Sequence, residues 1–296
     1  MIMAAHYYYF IAGLPSISLD DSKLSLGPRD FRVEAEKHLK NEDFALIRLL
    51  HLEEDILGFL KVLYQEPWAE SYEGLISREF WQEYIDFLSK EEPEISSGNE
   101  KLFKKLPAFI EKAARAVLEP EEPPAKAIIE YQLLLGFYQY AAKIPNDFIQ
   151  KWFELNRQIK NILTAINARQ HQLDFSAYLI GEDQLCEQLQ LSHATDFGLG
   201  KESPVFDAIY RIWEQNNILY RERGYDHFKA KWIDDQNFFE YFNIDRILGY
   251  YTKLRLINRW IKADESRGKK VFTNTLDKLG KSFSFPEDFN IKITQK

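Results

Sequence analysis

Apolar residues recur at spacings of three and four along most of the chain, the pattern of helices that bury one face. Phe44, Ile47, Leu50, Leu57, Leu60 and Tyr64 predict one helix from about Glu42 to Tyr64. Phe80, Tyr84, Phe87 and Leu88 predict another. Ile128, Tyr131, Leu134, Leu135 and Tyr138 predict a third, with Pro123-Pro124 in its first turn, where a missing N–H and a fixed φ do no harm. Asn146 stands where an N-cap belongs, before a long helix from Asp147 to about His171. Trp152, Leu155, Ile159, Ile162 and Ile166 share one face of it. Pro204 opens a helix through Ile209, Ile212 and Trp213. The segment Ile244 to Ala263 carries Ile247, Leu248, Tyr251, Leu254, Ile257 and Ile261 at helical spacing. Period-2 alternation is scarce. It is confined to the Tyr-rich N-terminus and the tail Asn290-Ile-Lys-Ile-Thr294, the two strand candidates. The predicted class is all-α.

Composition agrees with that class. Thirteen glycines and eleven prolines in 296 residues are too few for a turn-rich β-sandwich or barrel. Two polar, turn-rich seams, 91–99 and 119–124, divide the chain. They suggest an N-terminal helical lobe over 1–120 and C-terminal helical lobes over 121–296, packed as one body. The longest apolar stretch, Leu133 to Ala142, is interrupted by Gln139 and falls short of the roughly 18 residues a membrane span needs. The N-terminus lacks the basic flank of a signal peptide. A single cysteine, Cys186, cannot form an internal disulfide, which fits a reducing compartment. A soluble cytoplasmic protein is the expectation.

Charge changes the picture more than its total suggests. The net value is -8, from 38 Lys+Arg and 46 Asp+Glu. Residues 1–125 hold 14 basic and 24 acidic side chains, a balance of -10. Residues 246–296 hold 12 basic and 5 acidic ones, a balance of +7. Ends of opposite sign suit a protein with two different partners, and equally suit helices whose solvated faces differ in composition.

The sequence offers no local catalytic motif. The six histidines lack His-Glu-x-x-His and Glu-x-x-His spacing, so neither a zinc pair nor a di-iron bundle is indicated. His38 and His51, on charged helical stretches, read as surface or boundary residues. His171 and His193 read as partners for terminal helix carbonyls. Glu53-Glu54-Asp55 reads as a solvated helical face. Asp234 or Asp235 reads as an N-cap before Asn237-Phe-Phe-Glu240, since no second aspartate cluster follows one turn later to bridge Mg²⁺ and diphosphate. Gly198-Leu199-Gly200 lacks the rest of a dinucleotide or phosphate loop. Cys186 fits a small buried position. Lys253, Arg255, Arg259 and Lys262, interleaved with Tyr250, Tyr251 and Trp260, weakly fit a nucleic-acid surface. They better fit an amphipathic helix with aromatics inward, so no nucleic-acid partner is expected. Catalytic, cofactor-binding and metal residues are therefore none, although carboxylates drawn from distant helices would leave no local trace.

Two sets of residues carry a resemblance. The opening His6-Tyr-Tyr-Tyr9-Phe-Ile-Ala-Gly13-Leu-Pro15-Ser-Ile-Ser-Leu19-Asp20 and the stretch Phe44-Ala-Leu-Ile-Arg48-Leu-Leu50-His-Leu-Glu-Glu54-Asp55-Ile-Leu57 resemble an uncharacterised bacterial family encoded among the components of V-type (A/V-type) ATPases. The stretch from Leu155-Asn156-Arg157 to Asn167-Ala168-Arg169, followed by Tyr178-Leu179-Ile180-Gly181-Glu182, resembles the V-type ATPase C subunit, known as the d subunit in eukaryotes. So does Ile247 to Trp260 with Asn258-Arg259, followed by Arg267-Gly268-Lys269. Two details depart from the pattern of the C subunit. Ile180 stands where its turn has proline, and Asn258 adjoins Arg259 without the usual spacing.

The resemblance implies a multi-lobed helical body, a funnel of repeated lobes. Such a body is non-catalytic and links the central stalk to the membrane rotor ring in ion transport. It further implies a cytoplasmic location peripheral to the inner membrane, stalk and ring proteins as partners, and no obligate homo-oligomer. Asn156, Arg169, Arg255, Asn258 and Arg259 become interaction positions. An all-helical binding module with an unrelated partner and a helical enzyme without a local motif are the alternatives.

Overall fold

The computed structural model describes residues 7–68, 72–89, 99–200 and 202–263. The described residues form helices and loops, with no strand among them. The Tyr-rich start is a short helix, α1 (Tyr8–Ala12), where a strand was a candidate. The Tyr7 N–H donates to the Phe242 carbonyl, so one contact replaces the ladder a strand would need. Pro28 at the first position opens α2 (Pro28–His38).

The helix expected over 42–64 is two: α3 (Asn41–Leu49) and α4 (Leu52–Leu63). Neither proline nor glycine stands at the break. The Leu50 carbonyl accepts a bond from Arg255, and the His51 ring turns into the core toward Tyr251. The Arg255 bond replaces the intrahelical bond that the Leu50 carbonyl would accept in a continuous helix.

Next come α5 (Arg78–Ser89), α6 (Glu100–Phe103), α7 (Ala108–Leu118) and α8 (Lys126–Ala141). Pro123-Pro124 precede α8 instead of entering its first turn, and the Pro124 carbonyl accepts the Tyr64 hydroxyl. Asn146 caps α9 (Asp147–Gln170), its side-chain oxygen accepting from the Ile149 N–H. The five residues assigned to the inward face of α9 are all buried. Then follow α10 (Gln184–Leu191), α11 (Pro204–Trp213), α12 (Ile218–Gln236) and α13 (Ile244–Lys262). Side chains of Asp183, Ser203, Asn217 and Asn243 cap these four in order, the residue types that can satisfy the free N–H groups of a first turn.

Asp234 and Asp235 lie in the last turn of α12 and cap nothing. Asp234 pairs with Lys253 and Asp235 with Lys231. The helix they end escaped the periodicity reading because Arg221, Arg223, Gly224 and Asp226 interrupt its apolar stripe.

The body has lobes that share one core. α4 packs on α5, α7 and α8. α9 packs on α10 and α11, and α11 on α12. α8 packs on α9 and so joins the two groups, while α13 touches α9 and α12 and brings α2 and α3 against them. Ile247, Leu248, Tyr251, Leu254 and Ile257 of α13 are fully buried. Each such side chain contributes roughly 1.5–3 kcal/mol of hydrophobic stabilisation, so α13 is the central pin. The turn at 119–124 lies between α7 and α8, which pack against each other. Residues 90–98, covering most of the other seam, lie outside the described residues, as do Arg267-Gly268-Lys269 and the strand candidate at 290–294. No described helix is long and apolar enough to cross a membrane.

Candidate interaction site

Successive turns of α13 present Tyr251, Arg255, Asn258, Arg259 and Lys262. Arg255 reaches across to α4, donating to the Leu50 carbonyl and to Glu54. Tyr251 meets His51, which is buried at 3% exposure and is not the surface or boundary residue expected. The correction follows from the bonds. Nδ1 of His51 lies 2.9 Å from the Glu73 carbonyl, which can only accept, so Nδ1 carries the proton. Nε2 then accepts from the Tyr251 hydroxyl at 2.7 Å, and that hydroxyl accepts from Arg32 at 3.0 Å. Burial pushes the His51 pKa down to about 3, and the nearby Arg255 charge adds to the effect.

The Glu53-Glu54-Asp55 run is likewise no solvated face. Asp55 is buried and accepts from the Leu75 and Ile76 N–H groups and the Tyr72 hydroxyl. Three consecutive helical residues fan over about 200°, and α4 is buried round most of its circumference, so Asp55 falls on a covered face. Oε2 of Glu54 is shielded from solvent without a hydrogen-bond partner. Burial raises the Glu54 pKa, and Arg255 opposes that rise.

Two cavities flank Arg255. The first, of about 310 Å³, lies between α4, α9, α12 and α13, and its lining includes Glu53, Glu54, Asn156, Lys160, Lys229 and Arg259. The second, of about 370 Å³, is lined by residues that include Arg32, His51, Tyr72, Asn258 and Lys262. Glu73 and Arg255 belong to both. In the first, Lys160 pairs with Glu53 at 2.8 Å and Arg259 with Asp226 at 2.6 Å, while the Trp260 indole N–H also donates to Asp226.

Four of the five interaction positions thus meet in one place. Asn156, Arg255 and Arg259 line the first cavity, and Arg255 and Asn258 the second. Arg169 is elsewhere. It lies 13 residues beyond Asn156, about 20 Å along the helix. Its guanidinium sits 3.4 Å from the centre of the Phe197 ring and bonds the Ser192 and Ala194 carbonyls. That role is to hold a loop. Four of the five basic side chains of α13 are engaged: Lys253 with Asp234, Arg255 with Glu54, Arg259 with Asp226, and Lys262 with Glu73. No local pattern in the sequence marks Glu53, Lys160, Asp226 or Lys229 as neighbours, because each belongs to a different stretch of chain or to a helix without a clear stripe. Cys186 is buried, donates to the Ile180 carbonyl, and has its thiol pKa pushed up to about 11, mainly by burial.

A second feature lies where α1 meets the α12–α13 loop. Tyr8, Tyr9, Phe238, Phe239, Tyr241 and Phe242 are all exposed, Tyr9 to 95%. Tyr8 and Phe242 meet with ring planes tilted by 37° and ring centres 4.4 Å apart, and Phe238 and Phe239 meet edge to face at 4.9 Å. Carboxylates stand close by. Burial, with Glu240 and Asp147 as neighbouring charges, raises the Asp245 pKa against the Asn146 hydrogen bond. Among the described residues, no group of three or more His, Cys, Asp and Glu side chains is placed to hold a metal ion.

Residues 3–283 match the model of a protein family of unknown function, DUF2764. The chain belongs to this family. The matched span of this DUF2764 protein includes both the cavities beside α13 and the aromatic surface. No curated protein and no solved structure matches it.

Proposed function

We propose that the protein is a non-catalytic adaptor of a V-type ATPase, joining the central stalk to the membrane rotor ring as the C subunit does. The exposed aromatic surface carries this reading. Six large aromatic side chains gathered around α1 and the 238–242 loop form the kind of apolar patch that marks a docking surface. Covering them would supply much of the energy of a stable interface, since buried aromatics dominate such contacts.

The choice of partner rests on the likeness to the C subunit. One internal contact supports treating the similar segments as a unit. Asn161 and Arg157 of α9 hold the backbone of Ile180, the residue that departs from the turn of the C subunit. The helix and the turn that carry the likeness are therefore bound to each other. A location against the cytoplasmic side of the membrane follows from the same reading, through protein partners and not through a span.

The test is retention of the ATPase on a tagged chain expressed at its native level and purified in mild detergent. Stalk and ring proteins should co-purify. The triple substitution Phe238→Ser, Phe239→Ser and Tyr241→Ser should reduce their recovery at least tenfold while leaving thermal unfolding within a few degrees of the parent. A wild-type chain that retains no ATPase component rules the adaptor reading out. A different protein lost by the triple variant would identify the alternative partner.

A further inference from the structure

The first cavity contains one charge that makes no direct ion pair among the described residues. Lys160 is committed to Glu53, Arg255 to Glu54, Arg259 to Asp226, and Glu73 to Lys262. Lys229 lines the same cavity and makes no ion pair among the described residues. Its ammonium lies 5.9 Å from the centre of the Trp152 ring. Leu57, Phe153 and Leu256 add apolar wall, and the buried Oε2 of Glu54 is an acceptor without a donor.

We propose that this cavity receives the carboxylate of an aspartate or glutamate side chain on a docked partner segment, with Lys229 as its counter-ion. The inference rests on the adaptor reading for the partner, but the site is defined by its own chemistry. A cationic group would be repelled by Lys229. Glu53, Glu54 and Asp226 repel a doubly charged phosphate about twice as strongly as a singly charged carboxylate, with a single free amine to offset that. A carboxylate needs only that amine. A peptide N–H beside it suits the empty acceptor on Glu54. At about 310 Å³ the cavity is at the small end for a ligand site and suits a side chain entering from outside.

Charged groups on all four surrounding helices face Lys229: Glu53 of α4, Lys160 of α9, Asp226 of α12 and Arg259 of α13. Burial holds its pKa below the usual lysine value, against the pull of Asp226 and Glu53. A bound carboxylate favours the protonated amine. Binding therefore raises this pKa, and affinity falls as pH climbs through it.

The probe is the peptide acetyl-Gly-Glu-Gly-amide, with acetyl-Gly-Gln-Gly-amide as control, added to full-length protein carrying ¹³C-dimethylated lysines. The Lys229 signal is assigned by its loss in Lys229→Arg. The Glu peptide should move that signal saturably and shift its titration to higher pH, and the Gln peptide should do neither. An unmoved signal overturns the site. Lys229→Met should abolish peptide binding and lower ATPase retention at least tenfold, with thermal unfolding confirming that the variant is folded. Undiminished retention by that folded variant overturns the role in docking. If the wild-type chain retains no ATPase yet its Lys229 still answers the Glu peptide, the adaptor reading fails and the carboxylate site stands.

Discussion

His51 is kept neutral chiefly by burial, and its neighbours add to that. Its one acceptor nitrogen takes the Tyr251 hydroxyl proton, a bond that an added proton on Nε2 would cost, and the Arg255 and Arg32 charges disfavour a cation there. The folded pKa of about 3 lies below the ordinary value of 6.5. As pH falls below about 6.5, the unfolded chain takes up a proton that the folded chain refuses until near pH 3. Stability from this residue is thus present above pH 6.5 and is lost progressively toward pH 3, on the order of 3–5 kcal/mol in all. Urea unfolding at about pH 7, 5 and 4 measures it by comparing the parent with His51→Gln. The variant should show a profile flatter by about 1.4 kcal/mol per pH unit in this range. Parallel profiles would mean that His51 titrates in the folded protein as it does in the unfolded chain.

Helix pairs here approach closely at chosen positions. A Cβ built on Gly136 of α8 would stand 2.6 Å from Cβ of Phe109 on α7, an atom fixed to its own backbone. Gly136→Ala gains about 1 kcal/mol in helix propensity but forces α7 and α8 apart. The net expectation is destabilisation of roughly 1–3 kcal/mol, read as a lower urea midpoint at unchanged slope. An unchanged or raised midpoint would show that this contact yields freely. Gly249 plays the same part between α13 and the end of α12, where an added Cβ would fall 1.7 Å from the Asn237 side-chain nitrogen.

The lobes depend on one another because one hydrophobic cluster runs from Tyr7 to Leu254. α4 and α7 lie before residue 120, and α8, on which both pack, lies after it. The whole chain is therefore expected to unfold in a single transition, with helical circular dichroism and tryptophan fluorescence superimposable. A fragment of residues 1–120 should lack a cooperative transition, since its apolar faces lose their cover. Two resolved steps in the full chain would show that the lobes are independent.

The sequence alone determined the helical class, the burial of one face of α9, the cap at Asn146 and the start of α11 at Pro204. These depend on backbone bonds and side-chain spacing within a turn or two, which a linear pattern records. It also singled out Asn156, Arg255, Asn258 and Arg259, though not the place where they meet. Tertiary structure alone decided the break between α3 and α4, because Leu50 and His51 bond to residues about 200 positions away. It turned Asp55 inward, shielded one oxygen of Glu54, and put Asp234 and Asp235 at the end of a helix whose stripe is interrupted. It brought Glu53, Lys160, Lys229 and Arg255 to one cavity from four helices. Such a cavity exists only after long loops have closed and the core has packed, so no local spacing could have announced it.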